Sequence, residues 1–220
     1  MGLRVLSLTR RFIIGIFPAF LKLDGRRVVI VGGGPVAASK LAALQAAGAD
    51  IVVVAPDVCP EIESAGVTVV RKAFEPSDLD GAWFVVAAAP PDVNRSVAGE
   101  AQRLRVFVNA VDDPANASVY LGGVVRRGGV TLGISTDGAA PALAGLLREA
   151  LDAMLPADLE TWSVRAHELR DSWRARGVQM EARRPELLEA LNALYESRRS
   201  PADRTSRAEA GRVERLEPVR

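Results

Sequence analysis

At 220 residues the chain is long enough for one or two domains with a sizeable core. Apolar residues make up 49% and charged residues 25%, and the formal net charge of +1 gives no ground for nucleic acid or an anionic membrane as partner. One cysteine, Cys59, and one histidine, His167, exclude an intrachain disulfide and any multi-cysteine or His-rich metal site, so no metal is expected. A single cysteine also fits the reducing cytoplasm. Catalysis must then rest on carboxylates, hydroxyls, backbone groups or a bound cofactor.

Near the start, Thr9-Arg10-Arg11-Phe12 and the apolar residues after it superficially resemble a twin-arginine export signal. Pro18 and Lys22 break that apolar run, no small-residue cleavage pattern follows, and it is too short to span a bilayer. Residues 1–15 therefore read as a loosely held N-terminal extension of a cytoplasmic protein.

The next element is the most informative. Arg27-Val28-Val29-Ile30-Val31 is a β-branched run that ends in Gly32, Gly33 and Gly34 and passes straight into helix-forming residues. In this strand–turn–helix setting the pattern G-x-G-x-x-A, here Gly32, Gly34 and Ala37, predicts a dinucleotide site. Gly32 permits the tight turn, Gly34 lets a pyrophosphate approach the backbone, and Ala37 lets the helix pack close to the sheet. Pro35 and Val36 open that helix, whose free N–H groups and dipole favour phosphate. The alternative is a glycine-rich turn that only reverses the chain.

Beyond it, strand-like runs at 50–54, 67–71, 83–88 and 106–111 alternate with helical stretches at 35–47, 59–65 and 92–104. Such alternation predicts an α/β fold, a doubly wound parallel sheet with helices on both faces. After Pro114 the pattern changes. Two β-rich runs, 118–125 and 130–135, are joined by Arg126-Arg127-Gly128-Gly129, which suggests a hairpin. Pro141 opens a helix over 142–154, and two amphipathic helices follow near 159–176 and 185–197. We thus expect an extension over 1–15, a nucleotide-binding domain over 16–113 and a hairpin region over 114–148. A helical region over 149–198 and a disordered tail over 199–220 would complete the chain. A lone hairpin is marginal in water, so pairing with a second copy in a homodimer is expected.

Pro56 and Asp57 follow the second strand, where an acidic residue can hold ribose hydroxyls. Asp57 could equally cap the short helix after it. No arginine directly follows this strand to hold a 2′-phosphate, which favours NAD over NADP. The fifth strand ends in Asn109-Ala110-Val111-Asp112-Asp113-Pro114, bringing two carboxylates to the carboxyl edge of the sheet, where ligands of such folds bind. A solvated turn closed by proline is the other reading.

Taken together, Phe17-Pro18-Ala19-Phe20-Leu21-Lys22-Leu23, the glycine loop, Val54-Ala55-Pro56, Asn109-Ala110-Val111-Asp112, Arg127-Gly128 and Pro141-Ala142-Leu143-Ala144 resemble a known family. It is the precorrin-2 dehydrogenase and sirohydrochlorin ferrochelatase family, also called the siroheme synthase N-terminal domain. The resemblance implies a Rossmann-like domain and the NAD⁺-dependent oxidation of precorrin-2 to sirohydrochlorin, with Fe²⁺ as a further substrate in some members. It also implies that Asp112 is the general base. Precorrin-2 carries many carboxylates, so Arg126, Arg127 and Arg148, with Asn109 at the strand end, become candidate substrate contacts. The chain departs from the family at Thr136-Asp137-Gly138-Ala139-Ala140-Pro141, where Asp137 replaces a glycine and Ala140 a serine. Two rival readings remain: an NAD-binding regulatory module without catalysis, and a dehydrogenase of another substrate.

Overall fold

The computed structural model describes residues 15–196. The twin-arginine stretch, nearly all of the 1–15 extension, and the 199–220 tail lie outside the described residues. The chain divides into two compact units. Among the described residues, the first comprises those up to 123 and 134–146, and the second 124–133 and those from 147 onward.

The first unit is built on a parallel five-stranded sheet. Its strands are β1 (Arg27–Val31), β2 (Asp50–Val54), β3 (Thr68–Val70), β4 (Phe84–Ala87) and β5 (Phe107–Ala110), in the order β3-β2-β1-β4-β5. Helices α1 (Pro35–Ala46), α2 (Pro60–Glu63) and α3 (Pro91–Leu104) supply the crossovers. Side chains alternate across a strand, so Val28 and Ile30 face one side of β1, and Val29 and Val31 the other. On one face Ile30, Val53 and Phe84 pack with Ala37, Leu41 and Leu44 of α1. On the other, Val29, Val52 and Val85 pack with Val97, Ala98 and Ala101 of α3. Burial on both faces explains why these strands read as unbroken apolar runs.

Several ends differ from expectation in instructive ways. The first hairpin strand, β6, is Gly123–Arg127, and it pairs with β7, Val130–Ile134. Residues 118–121 are not part of it, because Ser118 and Val119 donate their backbone N–H groups to the Val108 carbonyl at 2.9 and 3.0 Å. The turn therefore narrows to Gly128 and Gly129, both with positive φ. A 3₁₀ turn, Pro76–Leu79, carries no apolar periodicity and was not foreseen. Helix α3 closes on Arg105 in the left-handed region, φ 59°. Glycine is the usual residue there, and any other costs about 1 kcal/mol.

In the second unit, α5 (Leu159–Arg176) follows the end of α4 (Pro141–Met154), and α6 spans Met180–Glu196. Pro185 does not open α6 as expected but lies inside it. The preceding turn is fixed by the Arg183 guanidinium, which donates to the Val178 carbonyl at 2.9 and 3.0 Å. Periodicity cannot reveal a turn held by a side chain. No helix among the described residues is long and apolar enough to cross a membrane.

Candidate functional site

The strand order reverses between β1 and β4, and in open parallel sheets the crevice at such a switch point is where ligands bind. Three loops converge on this carboxyl edge: the glycine loop after β1, residues 88–90 after β4, and residues 111–114 after β5.

The glycine loop is specified by what surrounds it. At Gly32, φ is 124°, and a Cβ there would run into the Ala88 carbonyl. At Gly33 a Cβ would collide with the backbone of Asp57 and Val58. The Gly33 carbonyl also accepts the Cys59 N–H at 2.7 Å, and the Val54 carbonyl accepts the Gly32 N–H at 3.0 Å. The phosphate loop and the loop after β2 are thereby clamped backbone to backbone. At Gly34, by contrast, a Cβ would meet open space. Gly34 is the N-cap of α1 and offers no side-chain cap, Pro35 follows at the first helical position, and the first turn holds no acidic residue. The N–H groups of Val36 and Ala37 are thus left to an external acceptor. A loop closed on two sides and open on the third fits a pyrophosphate approaching over Gly34, so the residues present suit a dinucleotide.

Pro56 and Asp57 are exposed beside this loop. Among the described residues the Asp57 carboxylate accepts no hydrogen bond from α2, whose N-cap is Cys59. Glu61, in the first turn of α2, has its carboxyl held below the usual range by its own backbone N–H and then by the Cys59 thiol. Asn94, which sequence reasoning passed over, is buried, and its Oδ1 accepts the Ala89 N–H at 2.9 Å. It fixes the loop against which Gly32 packs. A lone Asn in the first turn of a helix gives no signal of that role.

At the end of β5 the two aspartates separate. Asp113 is held within its own turn by Asn116: its Oδ2 accepts the Asn116 side-chain amide at 2.7 Å, and its carbonyl accepts the Asn116 N–H at 3.2 Å. Asp112 is exposed and adopts a left-handed conformation, φ 56°. Aspartate tolerates that region better than most residues. The turn is buttressed by Tyr120, whose hydroxyl donates to the Pro114 carbonyl at 3.4 Å. A Cβ on Gly138 would sit 3.5 Å from the Tyr120 ring and 3.7 Å from Pro114. The 136–139 turn therefore leans on the same pair, and Asp137 within it is exposed, with φ 54°.

The other candidates have partners of their own. Asn109 is buried, and its Nδ2 donates to the Val119 carbonyl at 3.0 Å, holding the segment that follows the site. In the second unit, Arg127 pairs with Asp152 at 2.9 Å and donates to the Leu155 carbonyl at 2.8 Å. Arg148 pairs with Glu149 on the surface, and Arg126 is exposed. The first unit thus gathers the glycine loop, Pro56, Asp57 and Asp112, while the three arginines belong to the second. Among the described residues no cluster of His, Cys, Asp and Glu could hold a metal ion.

A family model described as putative NAD(P)-binding matches residues 19–123. Siroheme synthase 3 of Aeromonas hydrophila subsp. hydrophila is 40% identical over 172 residues, which cover 76% of this chain and 37% of that protein. Siroheme synthase of Photorhabdus laumondii subsp. laumondii is 38% identical over 183 residues, 81% of this chain and 39% of that protein. The chain thus spans less than two fifths of the length of these curated relatives. Among solved structures, SirC, precorrin-2 dehydrogenase, matches with a TM-score of 0.61 at 27% identity, over 79% of this chain and 88% of that one.

Proposed function

We propose that the chain belongs to the family of precorrin-2 dehydrogenases and siroheme synthase N-terminal regions, and that it oxidises precorrin-2 to sirohydrochlorin with NAD⁺. The observation that carries the proposal is an exposed, left-handed Asp112 at the carboxyl end of β5, on the same sheet edge as a glycine loop that is open only over Gly34.

NAD⁺, when bound, supplies the hydride acceptor. Gly32, Gly33 and Gly34 shape the loop, Pro35 and Val36 present the helix N-terminus to the pyrophosphate, and Pro56 and Asp57 border the ribose. The oxidation removes a hydride and a proton from the reduced macrocycle, and Asp112 takes the proton on a carboxylate oxygen. A carboxylate exposed to substrate, with no side chain of its own to satisfy, is suited to that step. Asp113 is not, since Asn116 already holds it. Arg126, Arg127 and Arg148 are proposed to face the substrate carboxylates, and of these Arg126 has no ion pair to give up among the described residues.

Anaerobic turnover of precorrin-2, followed by absorbance with and without NAD⁺, tests the reading. Sirohydrochlorin formation should require NAD⁺. Asp112→Asn should lower kcat by at least ~100-fold with the NAD⁺ dissociation constant unchanged, and a retained rate would remove Asp112 as base. Gly34→Ala should leave thermal stability intact, because its Cβ meets nothing, yet weaken NAD⁺ binding by about tenfold or more, roughly the worth of one charge-assisted contact. The same assay with Fe²⁺ added reads out iron insertion as accelerated loss of sirohydrochlorin.

The proposal extends to a homodimer paired through the β6–β7 hairpin, a two-stranded sheet that exposes Val124. Elution as a monomer at all concentrations would refute it. A cytoplasmic location accords with the single cysteine, and cell fractionation checks it.

A further inference from the structure

On the outer side of the sheet, the first unit has a cavity of about 560 Å³ between α3, the outer strand β5 and the turn at 115–118. Its wall includes Arg95, Gln102, Arg105, Phe107 and Ser118, and no carboxylate is among the residues that line it. Neither Arg95 nor Arg105 has an ion-pair partner among the described residues; the neighbouring Arg103 takes Glu100. The Phe107 ring is half exposed. Ser118 is committed to the β5 backbone, its Oγ accepting the Val108 N–H at 2.8 Å, and Asn116, also on the wall, gives its Nδ2 to Asp113, so the side-chain donors with capacity left are the two guanidiniums and the Gln102 amide.

Arg105 adds an independent observation. It terminates α3 at φ 59°, a position where glycine is the residue of lowest energy. Its backbone N–H meets the Ala101 and Gln102 carbonyls, as a glycine's would, so the helix end needs no arginine. What the arginine contributes there is its side chain on the cavity wall.

We propose that this cavity is a binding site for a small organic anion bearing two or more carboxylate or phosphate oxygens, separate from the dinucleotide site. Arg95 and Arg105 grip the charged end by paired N–H···O contacts, Gln102 donates beside them, and Phe107 covers the organic body. The volume lies within the range of small-molecule sites.

Calorimetric titration of the full chain, saturated with NAD⁺ to occupy the glycine loop, tests this with two probes. Citrate reports the carboxylate arm and phenyl phosphate the phosphate arm. At least one should bind, with an affinity that falls as salt rises. Arg105→Gly and Arg95→Gln should each weaken that binding about tenfold, the loss of one charged contact. Arg105→Gly should at the same time keep or raise the melting temperature, because glycine relaxes the left-handed helix end, so lost binding cannot be put down to lost folding. NAD⁺ affinity should be unchanged in both variants. Failure of both probes to bind at about 10 mM, or equal binding by wild type and variants, would overturn the proposal; neither result bears on precorrin-2 oxidation.

Discussion

The two units are held together by different physics. In the first, β1, β2, β4 and β5 are buried almost throughout, and both faces of the sheet are filled by aliphatic side chains from α1 and α3. In the second, the buried apolar residues among those described are Val125, Leu159 and Trp173, while Met154, Met180 and Leu188 are exposed. Its elements are fastened by directed polar contacts instead. Arg127 ties the hairpin to the end of α4, and the Trp173 indole and Arg176 both meet Glu186 at 2.7 Å, joining α5 to α6. Apolar burial is non-directional and has no charge to be screened, whereas exposed ion pairs are weak, screened and pH-dependent. The first unit should therefore yield to cavities, and the second to changes of charge.

The largest effect that follows is at Phe84, which is 1% exposed on the α1 side of the sheet. Phe84→Ala should destabilise the first unit by about 3–5 kcal/mol, read from the denaturation midpoint. A loss below about 1 kcal/mol would mean that burial is not what holds this unit. A smaller effect is expected at Arg127. Removing its contacts to Asp152 and Leu155 should cost about 1–2 kcal/mol, seen as faster hydrogen exchange at the end of α4 with the parallel sheet unaffected. Slower exchange in the sheet strands than in α4 is the pattern that sharpens the contrast.

The smallest effect concerns pH. Arg176 first, then the Trp173 indole, hold the Glu186 carboxyl below its usual range. A carboxylate with a lowered folded pKa adds stability that is full above its unfolded pKa and lost as pH falls through the folded one. The α5–α6 pair should thus loosen under acid, below the ordinary carboxylate range. Glu186→Gln should flatten that dependence, measurable by circular dichroism across a pH series. An unchanged acid transition would show that this pair contributes nothing.

The same contrast explains what could be read from sequence. Strands β1 and β2 were legible to the residue because Val28, Val29, Ile30 and Val31, and their counterparts at 51–54, are buried on both faces, the first run bounded by Arg27 and Gly32 and the second by Asp50 and the Ala55-Pro56 pair. The glycine loop was legible because its spacing is a backbone requirement. The start of helix α6 was not, since its first turn depends on Arg183 reaching Val178. The start of β6 was misjudged because residues 118–121 look β-like but serve β5 instead. At the site, the carboxyl-edge position of Asp112 was visible, but nothing in the order Asp112-Asp113 tells which of them Asn116 will hold. The commitment of Arg127 to α4 was equally hidden, because its partners lie 25 and 28 residues away.

Ser118 and Asn109 bear on how this chain behaves when crowded. An outer strand with free N–H and C=O groups is a template on which other chains can add, the first step of many aggregates. At β5 that template is interrupted: the Val108 N–H goes to the Ser118 hydroxyl, its carbonyl to the next turn of chain, and Asn109 anchors the same segment. The opposite border, β3, has only three residues, too few to recruit a stranger. The sheet thus carries its own protection against intermolecular growth on both sides. Ser118→Ala, by freeing one of those groups, would make the protein more prone to form insoluble material on storage without altering its fold.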